Sequence, residues 1–317
     1  MASFTTRAFE SHWHHWRQRV DAELLRLIGA GEPEALWASM KYSVEAGGKR
    51  LRPLLVLCTL EALGRDPNPA LPAACAIELV HTFSLIHDDL PALDDDSLRR
   101  GLPTNHKVFG EATAILAGDA LHALAFRVLS KELLDAYPAA LCLEAVHCLA
   151  DAAVHGLACG QVADLRAGGC ATTAEEILYI HDHKTGSLFR CAVQLGAILG
   201  SASPQQVLDL DRYASSLGLA FQVADDILDV VRSAQELGKS PGKDARDDKA
   251  TYVRLYGLAG AHARLEEAGQ RAADALASWG DEARMLRDLA AYVVQQAGPR
   301  ASVQSSASRE EAVSCPR

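Results

Sequence analysis

"PQQVLDLDRYASSLGLAFQVADDILDVV", residues 204–231, carries an apolar stripe and a block of acid on the same segment. Val207, Leu210, Ala214, Leu217, Phe221, Ala224 and Leu228 recur at three- and four-residue steps, which puts them on one side of an α-helix. Asp225 and Asp229 are four apart and project from a common face, with Asp226 alongside. A solvated surface helix would rarely set such carboxylates among Phe, Val and Ile.

The same spacing continues outward through long segments rich in Ala and Leu, punctuated by prolines. It predicts an all-α chain with helices near 9–30, 34–46, 54–64, 70–87, 110–134, 138–167, 174–200, 205–232, 252–278 and 282–296. Strand-type alternation is nowhere sustained, and no Pro/Gly/Ser-rich linker divides the helices. The final stretch, 298–317, turns small and polar, the composition of a flexible tail.

A second acidic cluster, "DDLPALDDD" at 88–96, follows an apolar run. Five like charges at a helix C-terminus repel one another and face an already negative dipole, so something positive is expected nearby. An exposed acidic loop neutralised by solvent cations is one reading, and a bound metal is the other. Asp88 and Asp94 are six apart and would diverge on a straight helix. Pro91 interrupts the helix and lets the chain turn Asp94 back toward Asp88.

Carboxylates from two helices facing one cavity suit a hard divalent cation. Mg²⁺ takes a few carboxylates, waters and substrate phosphates, which points to a phosphorylated ligand. No His or Cys has zinc-like spacing, the EF-hand pattern is missing, and neither GxxxxGK[ST] nor GxGxxG after a strand occurs. Basic residues stand in "GGKRLRP" at 47–53, "LRRG" at 98–101, "HKTG" at 183–186 and "GKSPGKDARDDK" at 238–249. Each alone reads as solvated surface charge; together they match the phosphate requirement.

Composition narrows the classes. The 317 residues are 49% apolar, and 31 Lys plus Arg against 41 Asp plus Glu give a formal charge of −10. This argues against nucleic acid or an anionic membrane as a general partner. The eight cysteines lie mostly in apolar runs and read as buried, reduced thiols. No uninterrupted apolar run approaches the about 18 residues of a membrane span, and the N-terminus has no apolar signal core. The expectation is a cytoplasmic protein, with the acid-free stretch before Glu10 leaving room for a short transit sequence.

From about residue 40 to 296 the chain resembles the trans-isoprenyl diphosphate synthases, in particular the bacterial farnesyl diphosphate synthases. The resemblance is carried by "GGKRLRP", "SLIHDDLPALDDDSLRRGLPTNH", "GQVADL", "HKTGSLF", "FQVADDILDV" and "GKSPGKDARDDKATYV", in the family's order. It implies a single helical bundle with a central active-site cavity, the isoprenoid synthase fold, over residues 1–297, and a homodimer. It also implies three Mg²⁺ ions held between the two motifs on an allylic diphosphate. By matched position Asp88 and Asp94 would bind two ions and Asp225 the third, with Asp89, Asp226 and Asp229 close by or acting through water. Arg99, Lys184, Thr185, Gln222, Lys239 and Lys249 would hold the allylic diphosphate, and Lys49, Arg52, His81 and Arg100 isopentenyl diphosphate. Asp88, Asp94, Arg99, Lys184, Asp225 and Lys239 would carry the catalysis.

The implied reaction is Mg²⁺-dependent head-to-tail condensation to farnesyl diphosphate. Breaking an allylic C–O bond leaves a carbocation and a diphosphate of growing charge, which fixed cations stabilise most in the transition state. In the family the positions of Phe83 and Ser84 set product length. Phe83 lies about 7.5 Å below Asp88 along the helix, where an aromatic acts as a floor; ordinary core packing is the other reading. His81, seven residues before Asp88 and on its face, is either a ligand or a core histidine. A geranylgeranyl or geranyl diphosphate synthase, or a non-catalytic synthase subunit, are the alternatives; "DDILDVVRS" does not fit a terpene cyclase. Gln296 stands where the family commonly has a C-terminal Arg, with Arg300 in the tail as a substitute, and Ser97 interrupts an often longer acidic run.

Overall fold

The computed structural model describes residues 7–167, 173–231 and 251–297, and these are helical almost throughout. At the centre lies α3 (Leu51–Ala62), whose sequence LRPLLVLCTLEA is buried on nearly every side. A helix apolar all round belongs inside. Its neighbours are α4 (Leu71–Asp88) and α10 (Ser187–Leu199), the latter also against α11 (Pro204–Val231). The apolar stripe of 204–231 is the buried side of α11, with Leu210, Ala214, Leu217, Ala224 and Leu228 in the core. Val207 is exposed at its start and Phe221 is half-buried.

Around this centre, α1 (Arg7–Ile28), α2 (Glu34–Glu45) and α6 (Glu111–Lys131) cover α4. On the other side, α12 (Tyr252–Ala275) and α13 (Arg284–Ala297) pack on α11. The buried Tyr213 hydroxyl donates to the Leu286 carbonyl at 2.7 Å, fastening α11 to α13.

Four differences from the periodic reading have local causes. The expected helix 138–167 is α7 (Ala139–Asp151) and α8 (Cys159–Ala167), joined by a widened π-helical stretch at Ala152–Ala158. The expected helix 174–200 is likewise α9 (Ala174–His181), a π-helical stretch at Asp182–Gly186, and α10. The two stretches lie against each other, and Gly160 meets the Lys184 backbone so closely that a Cβ would overlap it. Such insertions add a residue to a turn and re-aim its side chains. In α12, Gly257 at φ 67° breaks the helical path. The fourth difference is a group of elements too short to show periodicity: a hairpin of β1 (Leu98–Arg99) and β2 (Leu102–Pro103), then α5 (Asn105–Phe109).

Stretches 68–88, 111–135 and 139–167 are long and apolar enough, by length and composition, to cross a membrane. Polar residues interspersed through them leave no uninterrupted apolar run. In the bundle, 67% of the apolar span of the first is buried, against 39% and 33% for the second and third. Among the described residues Cys58, Cys75, Cys142 and Cys191 are buried free thiols, whereas Cys148 is partly buried and Cys159, against the expectation of burial, is exposed; Cys170 and Cys315 lie outside them.

Candidate active site

The first aspartate motif begins where α4 ends. Approaching Pro91, the helix stops at Asp88 and the chain folds into tight turns, with Leu93 N–H donating to Leu90 C=O at 2.9 Å. Asp94 N–H then donates to the Asp88 carbonyl at 2.8 Å. The proline turn therefore returns Asp94 to Asp88, as Pro91 between them suggested. Burial pushes the Asp88 carboxyl up to about 6; Lys184 opposes the rise and Asp94 adds to it. Asp89 is buried and accepts from Arg99 Nε at 3.0 Å, which ties β1 to the end of α4.

The second motif lies within α11, so its geometry is that of a continuous helix. Asp225 is exposed while Asp226 and Asp229 are buried. Gln222 Nε2 donates to Asp226 Oδ1 at 2.8 Å, and the Tyr252 backbone N–H donates to Oδ2 at 2.8 Å. Thr185 in turn donates its hydroxyl to Gln222 Oε1 at 2.8 Å. Beside it, Lys184 pairs with Asp164 at 2.6 Å and acts electrostatically on Asp88. The π-helical turn of Lys184 and Thr185 thus bears on both motifs at once.

The donor set fits a hard divalent cation. Three carboxylates, Asp88, Asp89 and Asp94, crowd one turn, and each neighbour opposes ionisation of Asp88. In the second motif, buried Asp229 Oδ1 has no hydrogen-bond partner among the described residues. Both features favour a cation bound by oxygen.

The basic residues converge from three segments. Arg52, in the first turn of α3, is buried, and burial holds its guanidinium down to about 10. Its Nε has no hydrogen-bond partner among the described residues, and its guanidinium carbon lies 4.9 Å from the Phe189 ring centroid. Arg100, on the hairpin turn, donates to the Gly47 carbonyl and packs against Gly48. Gly48 has φ 143°, and a Cβ there would come within 2.8 Å of the Arg100 Nη2, so the Gly-Gly pair serves both turn and approach. Burial, then the charges of Arg52, Arg100, Arg50 and Arg99, hold His81 neutral, well below its usual range. Lys49 is exposed, with Nζ 6.0 Å from the Tyr292 ring centroid. Together with Asp225, Phe221 and Gln296 it lines a small cavity beneath α13.

Phe83 is half-buried beneath Asp88, with its ring 4.8 Å from His87 and 4.7 Å from His122 of α6. The Ser84 hydroxyl is turned onto its own helix, donating to the His81 carbonyl at 2.9 Å. Lys239, Lys249 and Arg300 lie outside the described residues. Two side chains without an assigned part in the sequence reading support the site. Asp164, carried by "GQVADL", holds Lys184. Arg50, in "GGKRLRP", is a buried structural residue bonded to Asp21 at 2.7 Å and Glu78 at 2.8 Å.

Two carboxylate motifs bearing on one basic turn within an all-helical bundle are the build of a prenyltransferase that handles diphosphates. A family model described as polyprenyl synthetase matches residues 33–281, and the chain belongs to that family. A farnesyl diphosphate synthase of Geobacillus stearothermophilus is 49% identical over 267 residues, covering 83% of this chain and 90% of that one. A geranylgeranyl diphosphate synthase of Cyanophora paradoxa is 42% identical over 282 residues, covering 88% and 94%. The crystal structure of an FPP/GFPP synthase from Zymomonas mobilis superposes with a TM-score of 0.81 at 36% identity, covering 90% of this chain and 99% of that one. The chain is a prenyltransferase.

Proposed function

We propose that this prenyltransferase joins isopentenyl diphosphate to dimethylallyl and geranyl diphosphate, with farnesyl diphosphate as its product. The observation that carries this reading is a pocket whose buried cations outnumber its anion: Glu78 faces Arg52 and Arg100, but its carboxylate is bonded by Arg50. Arg52 is buried with an Nε that has no hydrogen-bond partner among the described residues, and Arg100 and a neutral His81 stand with it. A buried cation of this kind needs an anion for compensation, and a diphosphate supplies one.

Lys184, Thr185, Gln222 and Arg99, with Lys239 and Lys249, hold the allylic diphosphate at the aspartates. Lys49, Arg52, His81 and Arg100 hold isopentenyl diphosphate. Magnesium, three ions with bound diphosphate, would be held by Asp88, Asp94 and Asp225 and would neutralise charge on the departing group. As the allylic C–O bond breaks, Lys184 and Arg99 stabilise the diphosphate more than they did in the ground state. The isopentenyl double bond then attacks the cation, and the proton lost goes to the departed diphosphate. Apolar walls keep water from the cation.

Phe83 as floor favours a C15 product, as does the similarity to a farnesyl diphosphate synthase. The similarity to geranylgeranyl diphosphate synthases supports a C20 product as the second reading. Exposed Ile115 and Leu116 on α6, with Leu143 on α7, support association of two copies. The test is incubation with labelled isopentenyl diphosphate and dimethylallyl or geranyl diphosphate, with Mg²⁺ or EDTA, followed by chromatography of the dephosphorylated alcohols. Farnesol formed with Mg²⁺ alone is the expected result, and Phe83→Ala should shift it to longer alcohols. An unchanged product distribution in that variant removes the floor, and no elongation by the parent chain removes the whole reading.

A further inference from the structure

On α3, Cys58 and Glu61 are three residues apart and face α1, from which His12 reaches toward them. One ligand atom each from His12, Cys58 and Glu61 lies within 4.8 Å of the others. His12 Nε2 stands 2.9 Å from Glu61 Oε2. Trp16, one turn along α1, donates its indole N–H to the other oxygen, Oε1, at 3.2 Å. Cys58 is buried, while the side chains of His12 and Glu61 are 25% and 23% exposed. None of the three belongs to the proposed reaction.

We infer that His12, Cys58 and Glu61 form a binding site for a divalent metal ion of the zinc class, separate from the aspartate motifs. An imidazole, a thiolate and a carboxylate make a donor set that zinc accepts and that magnesium, which prefers all-oxygen surroundings, does not. Trp16 acts as an outer partner, fixing one carboxylate oxygen so that the other faces the site. Without metal, burial first and then Glu61 raise the Cys58 thiol, so its proton stays on sulfur. On binding, the S–H bond is replaced by a sulfur–metal bond, the proton leaves to water, and neutral His12 donates through Nε2.

Around one zinc ion the ligand atoms must close to about 3.5 Å from each other, given bonds of about 2.0–2.3 Å. The exposed ends of His12 and Glu61 have room to make that adjustment while Cys58 stays in place. Three protein ligands leave the fourth position to water on the exposed side. The ion would clip α1 to α3, the helix whose first turn carries Arg52.

The experiment uses the full chain, stripped with EDTA, dialysed and titrated with Co²⁺. The expected result is one equivalent with a near-ultraviolet thiolate-to-cobalt charge-transfer band, displaced by Zn²⁺, and an unfolding temperature that rises with added Zn²⁺. Cys58→Ser should abolish the band. His12→Ala, at a partly exposed position, should weaken cobalt binding at least about tenfold, since losing a ligand costs more than losing an outer partner. Magnesium-dependent turnover should persist in both variants. Absence of the band in the parent chain overturns the site, as does zinc binding that survives both substitutions or is lost only in Asp88→Asn.

Discussion

In the first aspartate motif the helix ends at Asp88 and a proline turn gathers the carboxylates, whereas in the second Asp225, Asp226 and Asp229 ride a helix that runs on to Val231. Beneath that difference the two motifs divide labour alike. The second aspartate of each pair is a buried anchor: Asp89 holds Arg99 of the hairpin, and Asp226 holds Gln222 and the Tyr252 backbone. On the proposed function, the first aspartate of each pair, Asp88 or Asp225, serves the reacting region. On that reading, position within the pair, more than choice of motif, decides what an aspartate does.

The largest expected effect tests the first members. Asp88→Asn and Asp225→Asn should each lower turnover by about 100- to 1,000-fold, the usual cost of removing one group that stabilises transition-state charge. Thermal unfolding should hardly move. For Asp88→Asn the midpoint should hold or rise, because the substitution relieves a carboxylate that burial and its neighbours already disfavour. A large loss of stability in either variant, with turnover little changed, breaks the comparison.

The second members should respond in the opposite proportion. In Asp226→Asn an amide NH₂ must face either the Gln222 amide or the Tyr252 N–H, leaving a buried donor unsatisfied at a cost of about 1–3 kcal/mol. Asp89→Asn leaves Arg99 with a weaker partner and should fall in the same range. Chemical denaturation reads these losses, and initial rates should drop less than in Asp225→Asn. Equal rate losses in Asp225→Asn and Asp226→Asn would mean that both carboxylates serve the chemistry directly.

Much of this was legible before any coordinates. Stripes at three- and four-residue spacing located the helices, and Pro91 between Asp88 and Asp94 announced the turn that brings them together. The π-helical stretches were not legible, because one added residue hardly disturbs the pattern of an Ala-rich segment; their mark is Gly160 against the Lys184 backbone. The roles of Asp89 and Asp226 were hidden because their partners, Arg99 and Tyr252, come from later in the chain. Arg50 and Arg52 look alike in "GGKRLRP", yet Arg50 is bonded to Asp21 and Glu78 while Arg52 Nε has no hydrogen-bond partner among the described residues. That distinction is tertiary, as is the meeting of His12 with Cys58 and Glu61.

The smallest effect concerns the turn that bears on both motifs. His181, the last residue of α9, precedes the Lys184–Thr185 turn, and its ring centroid lies 5.2 Å from that of Tyr252. Burial holds its imidazole down to about 4, with Asp164 opposing and Lys184 assisting. The unfolded chain takes up this proton near pH 6.5 and the folded one only near 4, so the unfolded state binds more protons across that window. His181 therefore contributes its full share of stability above pH 6.5, and that share is lost as pH falls toward 4. Asp88, raised to about 6, has the opposite sign and gains stability on acidification, so the parent curve alone would blur the effect. The difference between parent and His181→Asn isolates it. Whatever the gap at pH 7, it should shift by about 2 kcal/mol in favour of the variant at pH 5, read by urea unfolding. A gap independent of pH would mean that the imidazole reaches solvent, and that the turn between the motifs is looser than the anchors on either side of it.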